Sequence, residues 1–161
     1  QFAASPEQVH GRISDVRGQK AWRSDISKVE VSGDGKQWTE FPDDGSTLAF
    51  RLIENRPAST FVIAYKSSLG FEGLWRAGLE PDGNGTRGVF AEEVTIPNPF
   101  LRAIGRMTSP PGQHLDLYLQ DLRRVLNPND EARPIAAGTG SKPEWQLRAI
   151  NPQNLPFNAD P

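Results

Sequence analysis

From Ile26 to Ile96 polar and apolar residues alternate, and turn-forming clusters interrupt the alternation at regular intervals: Gly33-Asp34-Gly35, Pro42-Asp43-Asp44-Gly45, Asn55-Arg56-Pro57, Ser67 to Gly70 and Pro81-Asp82-Gly83-Asn84-Gly85. A period of two puts successive side chains on opposite faces of a strand, so the pattern predicts an antiparallel meander. Its strands fall near 26–32, 37–41, 47–54, 59–66, 71–80 and 86–96. One face collects Val29, Val31, Leu48, Phe50, Leu52, Phe61, Ile63, Tyr65, Phe71, Trp75 and Leu79. The other collects Lys28, Glu30, Arg51, Thr60, Lys66, Glu72, Arg76 and Glu80, which predicts a sheet wet on one side and apolar on the other.

The period then changes. Leu115, Tyr118, Leu119, Leu122, Val125 and Leu126 recur at three- and four-residue steps, one stripe of an amphipathic helix over 110–126. Pro110 and Pro111 suit its first turn, Arg123 and Arg124 complement the negative end of its dipole, and Asn127-Pro128 stops it. Six such side chains are worth on the order of 10 kcal/mol of gross burial, so this helix is the element the sheet is expected to grip.

At the start of the chain, Ser5 as N-cap, Pro6 in the first helical position and Gln8 three residues after the cap form a capping box, with Val9 and Ile13 on one side. Asp15 to Gly18 reads as a break, followed by a short helical turn through Gln19 to Trp22. Residues 101–107 read as an amphipathic flap over one end of the sheet. Beyond Leu126 the composition shifts: residues 127–161 hold six of the 14 prolines, and 136–141 resembles a flexible linker. The division expected is a ligand-binding domain over 1–126 and a proline-rich tail over 127–161.

Composition narrows the chemistry. The 161 residues suffice for one domain with a sizeable core. With 18 Lys+Arg against 20 Asp+Glu and no basic run beyond Arg123-Arg124, nucleic acid is not an expected partner. The absence of cysteine excludes disulfides, thiolate metal sites and a cysteine nucleophile, and two histidines do not build a metal cage, so no cofactor or metal is expected. No apolar run approaches the roughly 20 residues that span a bilayer. The chain opens on Gln1 rather than Met, which fits a processed or trimmed start and leaves the compartment open.

The order of short helices, long meander, flap and C-terminal helix, with Ala4-Ser5-Pro6-Glu7-Gln8-Val9, Asp15, Trp22, Gly73-Leu74-Trp75 and Gly85-Thr86-Arg87, resembles the START and polyketide-cyclase-like helix-grip superfamily, SRPBCC. The resemblance covers roughly 1–126. It implies an α+β fold in which a curved antiparallel sheet wraps a long C-terminal helix and holds an apolar ligand such as a lipid, quinone or polyketide. A family member opens with a full first strand, of which only Gln1 to Ala4 remain here, so an unpaired sheet edge is expected.

The residues expected to line such a cavity are Phe50, Phe61, Tyr65, Phe71, Trp75 and Phe90 from the sheet, Met107 from the flap, and Leu115, Tyr118 and Leu119 from the helix. Gly73 and Ala77 flank Trp75 and would leave room beside it. Simple packing of the core fits the same positions. His114, Tyr118 and Asp121 share a helix face and read as a solvated flank rather than an acid–base set. Glu92, Glu93 and Glu54 read as wet strand ends, His10 stands alone, Asn84-Gly85-Thr86 reads as a hairpin turn rather than a glycosylation site, and Trp22 is expected to staple the short helices to the sheet. Residues 144–150 alternate like a half-buried strand and are expected to dock, through Trp145 and Leu147, on their own sheet edge or on another molecule.

Three functions compete on this reading. The first is non-catalytic binding or transport of an apolar small molecule, favoured because no convergent acid–base set is visible. The second is a cyclase or dehydratase using inward polar residues. The third is an interaction module whose groove takes a peptide.

Overall fold

The computed structural model describes residues 1–98 and 113–127. Helix α1, Pro6–Ser14, starts as its sequence dictates: Ser5 accepts from the Gln8 amide, and the Gln8 side chain accepts from the Ser5 amide at 2.9 Å. The helix breaks at Asp15 as expected, but no loop follows. Asp15 takes the cap of a 3-10 helix, Val16–Ala21, and its carboxylate accepts from the Gly18 amide at 3.1 Å. A short acidic side chain at that position makes a new helix start instead of a loop.

Six strands follow: β1 Ile26–Val31, β2 Gln37–Pro42, β3 Leu48–Arg56, β4 Thr60–Ser67, β5 Glu72–Asp82 and β6 Gly85–Thr95. They pair antiparallel in chain order in one sheet, as expected for a meander. The β5–β6 connection is the two-residue Gly83-Asn84 turn, with Gly83 at φ 59, so Asn84-Gly85-Thr86 is hairpin chemistry. The opening residues do pair: Phe2 and Thr86 exchange backbone hydrogen bonds of 2.8 and 2.9 Å at the outer edge of β6.

Helix α2, Gln113–Leu126, lies on the apolar face of the sheet. Residues 110–112, the flap, Met107 and the tail beyond Asn127 lie outside the described residues. Phe50, Phe61, Ile63, Tyr65, Trp75, Leu79, Tyr118 and Leu122 join Phe2, Val9, Ile13 and Trp22 in one core, so α1 and α2 share the inner surface. Trp22 packs edge-on against Tyr118, ring centroids 5.3 Å apart, and its carbonyl accepts from Arg124 at 3.0 Å. It sits in the core shared with the sheet and ties the 3-10 helix to α2 as well.

The outer face departs from expectation. Val62, Ala64 and Leu74 form a buried cluster there, and Glu72 is buried beside them. Among the described residues no helix is longer than α2 or apolar enough to cross a membrane.

Candidate functional site

The site grows from the inner face of the sheet. In register, Tyr65 on β4 faces Gly73 on β5, which faces Val94 on β6, and the next inward row is Ile63, Trp75 and Glu92. Gly73 does not leave room beside Trp75 as expected. A Cβ there would stand 2.6 Å from Tyr65 Cζ and Oη and would also strike the Glu93 carbonyl. The missing side chain is instead the space through which the Tyr65 ring crosses β5. Its hydroxyl donates to Glu92 Oε1 at 2.7 Å. Burial above all, then the Glu92 charge and the hydrogen bond to it, raises the Tyr65 hydroxyl above its ordinary value. Glu92 is thus no wet strand end but a half-buried inward carboxylate, whereas Glu93 is the exposed, outward one.

A second set anchors α2. Arg23 donates to Glu40 Oε2 at 2.7 Å, pairs with Asp25 at 2.6 Å, donates to Gln19 Oε1 and lies over the Tyr118 ring, 5.3 Å from its centroid. Trp38 Nε1 donates to the other Glu40 oxygen at 3.1 Å. Burial raises the Glu40 carboxyl above its ordinary value, while the guanidinium and the indole N–H pull the other way. With a permanently charged guanidinium on one oxygen and a donor on the other, the pair is ionic at neutral pH. Asp121, only 1% exposed, accepts from Ser24 N at 2.7 Å, Ser24 Oγ at 2.8 Å and Arg124 at 2.8 Å. The face carrying Tyr118 and Asp121 is therefore buried structure, not a solvated flank; the His114 side chain lies outside the described residues. Arg23, Asp25, Trp38 and Glu40 were missed in the sequence. Glu40, two residues after Trp38 and so on its inward face, was the signal available.

Of the ten predicted lining residues, Phe50, Phe61, Tyr65, Trp75 and Tyr118 are buried and meet in two groups of rings: Phe50–Tyr65 at 5.6 Å, and Phe61–Trp75 at 6.4 Å with Trp75–Tyr118 at 5.3 Å. These are packed core. Phe71, Phe90, Leu115 and Leu119 are half-buried against it. Phe71 meets the Tyr65 ring edge-on at 6.3 Å, on the side of the Tyr65–Glu92 pair, and Val94 beside Gly73 is 54% exposed. Phe90 packs instead on Phe2, at 5.9 Å, toward the opposite end. The incompletely covered apolar surface next to Tyr65 and Glu92 is the candidate site.

The remaining groups are structural. His10 is buried edge-on against Phe61, and Glu54 pairs with Arg56 at the strand end. An open cleft of about 640 Å³ between α1 and the end of α2, with Gln8, Arg12, Asp15 and Leu126 in its walls, shares none of the predicted lining residues. Among the described residues no group of three His, Cys, Asp or Glu could hold a metal ion.

The family model for polyketide cyclase/dehydrase and lipid transport matches residues 1–125. No curated protein matches. Among solved structures, a hypothetical Helicobacter pylori protein superposes with TM-score 0.60 at 13% identity, covering 78% of this chain and 83% of that one. A Rhizobium loti protein gives 0.59 at 21%, covering 76% and 89%, and XoxI of Bacillus cereus 0.57 at 16%, covering 78% and 89%. These likenesses establish the fold, an α+β helix-grip architecture. By the span of the family match and the fold it shares, the chain belongs to the polyketide cyclase/dehydrase and lipid transport family, within the SRPBCC superfamily.

Proposed function

We propose that the chain binds, without transforming it, an apolar small molecule carrying one hydrogen-bonding group, such as a lipid, quinone or polyketide-like compound. The body of the ligand lies on Phe71, Leu115 and Leu119, and its polar group meets the Tyr65–Glu92 pair. The observation that carries this reading is the apolar surface of half-buried Phe71 and exposed Val94 beside a polar pair that is only partly covered. A pocket that is mostly apolar with one convergent polar point is the usual form of a small-molecule site.

Support for a non-catalytic role comes from the partners of the inward carboxylates. Glu40 and Asp121 are each held by two or more donors, and Glu92 by Tyr65, whose raised hydroxyl is a poor proton donor or base near neutral pH. The test is native mass spectrometry of the full chain purified from its own host, with solvent extraction of any retained mass. A retained apolar compound that emerges unchanged after incubation is the expected result. Conversion of that compound to a new mass would overturn the non-catalytic role. No retained mass, together with no saturable binding of an apolar fluorophore, would overturn the binding role.

A further inference from the structure

The outer face of the sheet is buried more deeply than its own neighbours account for. Val62 and Ala64 on β4 and Leu74 on β5 are 6%, 0% and 4% exposed, on the face opposite Ile63, Tyr65 and Trp75. Beside them the Arg76 side chain is 11% exposed, and its Nε and Nη2 are buried with no hydrogen-bond partner. Glu93 stands 3.9 Å away, too far for a hydrogen bond. A solvated sheet face leaves such positions wet. Among the described residues nothing lies over this one: α1 and α2 pack on the inner face, through His10 on Phe61 and Tyr118 on Trp75, and all six strands belong to one sheet.

What covers this face must be apolar on one side and must offer acceptors to a buried guanidinium. We propose that residues 144–150 of the same chain are that cover. In an extended conformation Trp145, Leu147 and Ala149 share one side, matching the apolar patch, while the backbone carbonyls between them supply acceptors for Arg76. Seven extended residues reach about 23 Å, several strands across. The chain between Asn127, at the end of α2, and Glu144 spans up to about 55 Å, enough to pass from the inner face around the edge.

Because the chain has no cysteine, Lys66→Cys gives a single attachment point for a nitroxide, at an exposed outer-face position two residues from Ala64. In a dilute sample of the full chain the nitroxide should erase the amide signals of 144–150 while those of 136–141 persist. Trp145→Ala with Leu147→Ala should restore them. Signals of 144–150 that stay sharp in the labelled chain would overturn the proposal. So would loss seen only when spin-labelled chains are mixed with separate isotope-labelled ones, since the cover would then be a second copy.

Discussion

The Tyr65 hydroxyl on β4 donates to Glu92 on β6 at 2.7 Å across the full width of β5, and it does so because Gly73 has no side chain in the way. Three residues on three strands thus set a polar point of the candidate ligand surface. Tyr65→Phe removes one hydrogen bond to a partly buried carboxylate, so denaturant unfolding should show a loss of about 1 to 2 kcal/mol. The same variant should lose affinity for ligands bearing an oxygen function while keeping affinity for hydrocarbon probes. An equal loss for both would mean that the pair orders the sheet and does not read the ligand.

Gly73→Ala tests the crossing itself. The added methyl meets both the Tyr65 ring and the Glu93 backbone, which cannot retreat cheaply, so overpacking should cost about 1 to 3 kcal/mol. Thermal unfolding checks this, and unchanged stability would show that free space exists beside Trp75 after all.

The chain has two tyrosines, and burial raises both hydroxyls, Tyr65 beside Glu92 and Tyr118 over the core despite the opposing pull of Arg23. In the unfolded chain both ionise near the ordinary 10.0. A group raised on folding contributes stability that is complete below its unfolded pKa and is lost as pH climbs above it. Tyrosinate absorbance should therefore stay flat through pH 10 to 11 in native protein and rise only with unfolding, while stability declines over the same range. A native absorbance step near pH 10 would contradict the buried placement.

Arg23→Ala should destabilise by about 3 to 5 kcal/mol, because buried Glu40 and half-buried Asp25 would be left without their cation. Arg23→Met combined with Glu40→Leu should cost less than the sum of the single changes, since the charges leave together. Additive effects in a double-mutant cycle would show that the pair does not act as a unit.

What the sequence disclosed was local or periodic. The Ser5–Gln8 capping box, the Gly83-Asn84 turn and the alternation of β3 to β5 depend on residues near one another, so pattern reading reached them. Tyr65 and Glu92 are 27 residues apart and meet only through strand register and the gap at Gly73, neither visible in periodicity. Arg23 reaches Glu40 17 positions away because the 3-10 helix packs against β1, whose neighbour is β2. The aromatic positions of the inner face were legible as apolar, but whether Phe50 or Trp75 lines space or fills it depends on ring-on-ring packing. Asp121 looked solvated because its partner Ser24 lies 97 residues earlier in the chain.

The most direct test of the central claim is an isotope-edited titration of the full chain with an apolar ligand bearing a single carbonyl, mapped residue by residue. The account predicts saturable shifts concentrated at Tyr65, Phe71, Glu92, Val94, Leu115 and Leu119, with the surroundings of Arg23 and Glu40 undisturbed. Shifts concentrated instead around Gln8, Arg12 and Leu126, or no saturable shift at any residue, would contradict it.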